Sequence, residues 1–207
     1  MHIRDAYTEW AATYDTDRNL TRDLDATMTR QTLGAHHCAV ALELGCGTGK
    51  NTALLAGIAG RVYALDFSEG MITQARAKIS AEHVQFTLAD LTQTWPCAAE
   101  HVELVVCNLV LEHIRDLDFI FAEARRVLAE GGQFYISELH PFKQYQGKKA
   151  IFQRGEAQTE IPAFVHHISD FVTSAQKAGF ALKKLGEWWH DDDPPGTPRL
   201  VTFLFTK

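Results

Sequence analysis

Glu43-Leu44-Gly45-Cys46-Gly47-Thr48-Gly49 stands where a short apolar run, Ala39 to Leu44, gives way to the helical pattern of Asn51 to Ile58. An apolar run of that length, closed by a glycine cluster, reads as a strand buried on both faces. Glycines at its end let the backbone approach a ligand with no Cβ in the way and take up φ values other residues resist. The stretch predicts a strand, a ligand-binding turn and a helix in succession.

The same alternation continues outward. Arg61 to Leu65 reads as a second strand that stops at Asp66, and Ser68 as the N-cap of a helix whose apolar face carries Met71, Ile72, Ala75 and Ile79. Strands follow at Val84 to Leu88 and Val102 to Leu109, then a helix with Leu117, Ile120, Phe121, Ala124, Val127 and Leu128 on one face. Gly131-Gly132 is expected to end that helix and turn the chain into a strand from Phe134 to Leu139. Alternating strands and helices imply parallel strands joined by right-handed crossovers. Near the end, a helix over Ser169 to Ala178 precedes two strands, about 180–189 and 199–206, which flank the turn-forming HDDDPPGTP and should therefore pair antiparallel. The predicted class is α/β: a Rossmann-like, doubly wound, mostly parallel sheet with one antiparallel C-terminal strand. One domain, 39–207, follows a helical cap or lid over 1–38, in which Leu20, Leu24, Met28 and Leu33 share a face. Residues 140–166, irregular and holding two prolines, are the expected substrate loop.

A chain of 207 residues with 46% hydrophobic and 22% charged residues has the composition of one globular domain. Its formal charge of -6 disfavours nucleic acid, whose binding relies on clustered Lys and Arg. Cys38, Cys46, Cys97 and Cys107 form no C-x-x-C pair, which suits a reducing compartment. No signal-like apolar core and no run near the ~18 apolar residues of a membrane span is present, so a cytoplasmic protein without a membrane partner, monomer or homodimer, is expected.

The turn itself discriminates between cofactors. Dinucleotide sites use G-x-G-x-x-G to hold a pyrophosphate at a helix N-terminus. Here the spacing is G-x-G-x-G, and Glu43 stands two residues before Gly45. A buried carboxylate beside a pyrophosphate is unfavourable, whereas beside the ammonium and sulfonium of S-adenosylmethionine it is favourable. Glu43, Gly45, Cys46 and Gly47 are therefore assigned to that cofactor. Asp66 ends the second strand, where an acid can accept both ribose hydroxyls, with Phe67 and Met71 near the adenine. Asp90 follows the third strand and offers an acceptor to the adenine amino group, with Leu91 beside the ring.

The stretches LELGCGTGKNT, YALDFSEGMITQAR, FTLADLTQTWP, VVCNLVLEHI and VLAEGGQFYISELHP, spanning about residues 40–141, resemble the class I S-adenosylmethionine-dependent methyltransferases, in particular the small-molecule branch with methyltransferase type 11 domains. The resemblance implies that Gly45 and Gly47 hold the methionine moiety, that Asp66 binds ribose and Asp90 adenine, and that Asn108 and Leu109 line the methionine side. It also implies that Trp10 to Asp15, with Tyr14, folds over the cofactor.

Methyl transfer from a sulfonium requires an acceptor held in line and shielded from water, and a base only when the nucleophile carries a proton to be lost. His113 and His140 follow strands at the ligand-binding edge and are the candidate bases, with Tyr7, His166 and His167 as alternatives. His190-Asp191-Asp192-Asp193 reads as a solvated loop before Pro-Pro rather than a metal site, and no metal is expected. Trp188 and Trp189 alternate faces, one toward a pocket and one toward the core. Competing functions are a non-catalytic subunit that binds S-adenosylmethionine or S-adenosylhomocysteine, and a nicotinamide-dependent reductase, which Glu43 and the glycine spacing oppose.

Overall fold

The computed structural model describes residues 3–146, 151–154, 157–160 and 163–207. Two helices, α1 (Ile3–Trp10) and α2 (Leu20–Leu33), precede the alternating part: β1 (Cys38–Leu44), α3 (Thr52–Ile58), β2 (Ala59–Asp66), α4 (Glu69–Lys78), β3 (Val84–Leu88) and β4 (Val102–Asn108). A 3-10 turn (Leu111–His113) leads to α5 (Leu117–Val127), β5 (Leu128–Leu139) and the short α6 (Pro141–Tyr145). A hairpin of β6 (Ile151–Arg154) and β7 (Ala157–Glu160) follows, then α7 (Ile168–Lys177), β8 (Ala181–Trp188) and β9 (Leu200–Thr206).

Seven strands form one sheet in the order β3-β2-β1-β4-β5-β9-β8. β1 to β5 pair in parallel, and β9 runs antiparallel between β5 and β8. This is the doubly wound sheet with one antiparallel C-terminal strand. Winding reverses between β1 and β4, so a crevice opens between their C-terminal ends, the usual ligand position in such sheets. The central strands are apolar because both faces are covered: Leu42, Leu44, Val105 and Phe134 pack toward α5 and α7, while Ala41, Leu104, Val106 and Tyr135 pack with Leu33, Leu55 and Ile58.

Ser68 caps α4 as expected, its Oγ accepting from the Met71 N–H at 3.2 Å. The expectation for Gly131-Gly132 needs correction. α5 ends at Val127, and the glycines lie inside β5, where the register against β4 slips between Val102 and Leu104. Gly131, at φ 77°, absorbs the extra residues of a bulge. On α2, the buried face holds Met28 and Leu33, but also Arg22, Asp25 and Thr29. Among the described residues, no helix is long and apolar enough to cross a membrane. Of the expected substrate loop, residues 147–150, 155–156 and 161–162 lie outside those described.

Candidate active site

A cavity of about 130 Å³ opens at the crevice, where ligands of doubly wound sheets sit. Gly45 and Gly47 after β1, Asp66, Phe67 and Met71 after β2, Asp90 and Leu91 after β3, and Asn108, Leu109 and His113 after β4 line it, with Tyr7 and Tyr14 above. The two lining glycines differ. A Cβ on Gly45 (φ 66°) would lie 2.2 Å from Val110 Cγ2, so the protein itself demands glycine there. A Cβ on Gly47 (φ 53°), which also lines the cavity, would meet nothing within 4 Å.

Asp66 ties two strand ends together: its Oδ2 accepts from the Gly47 N–H and its Oδ1 from the Ser68 N–H, each at 2.8 Å. Burial pushes its carboxyl up while those backbone N–H groups pull the other way. Each carboxylate oxygen has a further lone pair for a ligand. Asp90 Oδ1 accepts from the Thr92 N–H at 3.0 Å, a turn bond that keeps its carboxyl at the chamber's edge. Asn108 Nδ2 donates to Asp25 Oδ1 at 2.6 Å and to Thr29 Oγ1 at 2.8 Å, while Asn108 Oδ1 is buried without a hydrogen-bond partner among the described residues. An unmet buried acceptor is unfavourable and calls for a donor-bearing ligand. Leu109 next to it sits at φ 56°, a strained conformation that costs about 1–3 kcal/mol and is typical of ligand sites.

Asp25 went unnoticed in the sequence. It is 3% exposed, and Asn51 Nδ2 also donates to it, at 3.0 Å. Its signal is a carboxylate placed three and four residues before Met28 and Thr29, in the inward stripe of an amphipathic helix.

α1 and the segment after it roof the chamber. Tyr7 OH is hydrogen-bonded to His113 Nε2 at 2.8 Å, and its ring packs against Trp10, Tyr14 and Phe67. Burial, with smaller contributions from Tyr14 and nearby acids, pushes the Tyr7 phenol well above its usual range, so it is protonated at neutral pH. Thr8 Oγ1 meets Ser68 Oγ at 3.0 Å, and Gly70 lets α1 approach: a Cβ there would lie 2.8 Å from the Thr8 carbonyl. Asp15 accepts from Thr48 Oγ1 of the glycine turn at 2.7 Å and pairs with Lys78.

Several expected site residues lie elsewhere. Glu43 is 3% exposed and accepts from Thr52 Oγ1 at 2.5 Å behind the turn; burial raises its carboxyl to about 8, so in this structure it is mostly neutral at pH 7 and does not line the chamber. The Cys46 side chain packs with Ala64, Ile72, Ala75 and Phe86. His140 does not line this chamber: its Nδ1 accepts from the Phe142 N–H at 3.0 Å as the cap of α6, and its Nε2 meets Glu187 Oε1 at 2.8 Å. His166 Nε2 bonds the carbonyls of Leu111 and Ile114 at 3.1 and 2.7 Å, and exposed His167 meets Tyr145. Trp188 donates to Thr202 and Trp189 is exposed, neither of them at the chamber.

A second, more polar cavity of about 400 Å³ shares Tyr7, Tyr14 and Leu109 with the first and is bordered by Arg18, Arg22, Glu112, Lys143 and Arg199. Asp193, expected in a solvated loop, instead has a side chain only 4% exposed, which accepts from both Lys143 and Arg199. Burial would raise its carboxyl, but these two cations hold it at about 2.

Residues 42–136 match a family model described as a methyltransferase domain. An uncharacterized methyltransferase of Emericella nidulans is 26% identical, over 87% of this chain and 76% of its own. A malonyl-[acyl-carrier protein] O-methyltransferase of Xylella fastidiosa is 29% identical, over 84% of this chain and 58% of its own. The chain thus spans three quarters of the first relative and less than two thirds of the second. In fold, it is similar to the N-methyltransferase NodS of Bradyrhizobium japonicum bound to S-adenosyl-L-homocysteine, with TM-score 0.76, 16% identity, and 100% of this chain and 99% of that one covered. The glycine turn and the acids after β2 and β3 fall within the matched stretch: residues 42–136 form a methyltransferase domain of type 11, in a fold similar to that of S-adenosylmethionine-dependent methyltransferases.

Proposed function

We propose that the protein methylates a small-molecule acceptor held beneath an N-terminal lid formed within residues 1–38. The observation that carries this reading is a single chamber joining four strand ends under Tyr7 and Tyr14, with the unpartnered Asn108 Oδ1 in its wall. The residues fit S-adenosylmethionine. The Gly47 backbone leaves room for the methionine part, Asn108 Oδ1 accepts from its ammonium, the spare lone pairs of Asp66 accept from ribose, and Asp90 with Leu91, Phe67 and Met71 takes the adenine. When bound, the cofactor supplies an electrophilic methyl on a sulfonium.

What the chain contributes is orientation and exclusion of water. The aromatic cluster of Tyr7, Trp10, Tyr14 and Phe67 closes the chamber from above. His113 acts as a positioning residue that holds Tyr7, and with it α1, across the opening. The test is calorimetric titration with S-adenosylhomocysteine. Asp66→Asn keeps the side chain's shape but weakens charge-assisted bonds worth ~1.5–3 kcal/mol each, so the dissociation constant should rise at least about tenfold. An unchanged constant removes the ribose assignment.

A further inference from the structure

The second chamber has a charge pattern opposite to that of the chain. The protein carries a formal charge of -6, yet Arg22, Lys143 and Arg199 border this cavity. Arg22, 8% exposed, gives its guanidinium to the carbonyl oxygens of Tyr14 and Asp17 and stacks on the Tyr14 ring at 4.0 Å; it forms no ion pair among the described residues. Lys143 and Arg199 share one carboxylate, each 2.6 Å from Asp193 Oδ1. Positive charge therefore exceeds negative charge in a partly desolvated wall, which is unfavourable until an anion enters.

Glu112 borders the same cavity. It is 9% exposed; Gln144 hydrogen-bonds its carboxyl, while Oε2 is buried with no hydrogen-bond partner among the described residues. Its Oε1 lies 3.8 Å from His113 Nε2, which in turn holds Tyr7 on the wall shared with the cofactor chamber. An acceptor atom thus lies in the wall of the second chamber, on the residue next to the one that holds Tyr7.

Resting on the methyltransferase reading, we propose that the second chamber binds the methyl acceptor as an anion, a carboxylate or phosphate-type acid held by Arg22, Lys143 and Arg199, with an O–H or N–H of the same molecule donated to Glu112 Oε2. The strength of such sites comes from charge-assisted hydrogen bonds, and a neutral isostere forfeits most of it.

The full chain loaded with S-adenosylhomocysteine is titrated calorimetrically with malonate, inorganic phosphate and, as the neutral control, malonamide. At least one anion should bind saturably, about tenfold or more tighter than malonamide; malonate alone assigns a carboxylate, phosphate alone a phosphate-type acid. Lys143→Met and Arg22→Gln should each weaken that anion about tenfold, and Lys143→Arg should restore most of the loss. The affinity of Lys143→Met for S-adenosylhomocysteine should stay within about threefold of the parent. Should Lys143→Met prove unfolded by circular dichroism, Arg22→Gln, which retains hydrogen bonds to the carbonyls, carries the test. Binding of neither anion, equal binding of malonamide, or anion affinity unchanged in the folded variants overturns the proposal. Failure of S-adenosylhomocysteine to bind overturns the cofactor reading separately, because the anions can still be titrated against the unloaded protein.

Discussion

The two chambers share a wall of Tyr7, Tyr14 and Leu109 and are built in opposite ways. The first is shaped by the backbone at successive strand ends, all between Gly45 and Ile114 apart from the roof. The second is assembled from side chains of distant segments: Arg18 to Arg22, Glu112, Lys143 and Arg199. A backbone-built site repeats with the strand-turn-helix pattern and leaves glycines and acids at regular places in the chain. A side-chain-built site leaves no spacing, because the sheet brings its parts together only after folding.

Gly47→Val should separate the chambers most sharply. A branched side chain would enter the space beside β1, and a non-glycine residue at positive φ costs about 1–2 kcal/mol in addition. Affinity for S-adenosylhomocysteine should fall by about a hundredfold or more, while anion binding in the second chamber survives. Equal affinity in the parent and the variant would mean that the cofactor lies elsewhere. Gly45→Val should instead destabilise the fold, since Val110 already occupies the space.

Glu43 allows a sharper comparison within the first half. Its folded value of about 8 lies above the ~4.3 of an unfolded glutamate. The stability linked to it is therefore fully present below about pH 4 and is lost as the pH rises through 8. Glu43→Gln stays neutral throughout and can still accept from Thr52. In denaturant unfolding without cofactor, it should match the parent near pH 4 and exceed it by a few kcal/mol at pH 8. Should parent and variant keep the same difference across that range, Glu43 is ionised in the folded protein, and its direct pairing with a cationic cofactor returns.

His140 tests the assignment of the histidines. His140→Ala removes the cap of α6 and the contact with Glu187, so it should cost about 1 kcal/mol of stability and leave S-adenosylhomocysteine affinity unchanged. A variant with parental stability and no turnover would restore His140 as a base.

These particulars show where the sequence was legible. Ser68 as a cap, and Asp66 and Asp90 at strand ends lining the crevice, follow from local pattern, because strand ends, caps and tight turns have few chemical solutions. Gly131-Gly132 was ambiguous since a helix stop and a β-bulge both use glycine at positive φ. His113 and His140 both follow strands at the ligand edge, His113 at the end of a 3-10 turn and His140 directly after β5. Whether a ring nitrogen faces a chamber or caps the next helix depends on a rotation that residue type does not encode. Asp193 looked like part of a solvated acidic run, and its burial is set by Lys143, fifty residues away.

The smallest expected effect lies at the wall between the chambers. Tyr7→Phe deletes the hydroxyl that meets His113 and keeps the ring packing with Trp10, Tyr14 and Phe67. One hydrogen bond is worth ~0.5–1.5 kcal/mol net, so affinity for S-adenosylhomocysteine should fall a few-fold. If the bond holds α1 across the opening, amide hydrogens of Ile3–Trp10 should exchange faster in Tyr7→Phe than in the parent, with the cofactor product bound to both. His113→Gln, which can still bond the hydroxyl, should fall between the two. Equal exchange in all three proteins would show that the aromatic packing alone fixes the roof. A loss of turnover near the ~10²-fold typical of acid–base catalysis, at unchanged affinity and unchanged exchange, would instead place the Tyr7–His113 pair on the path of the acceptor's proton.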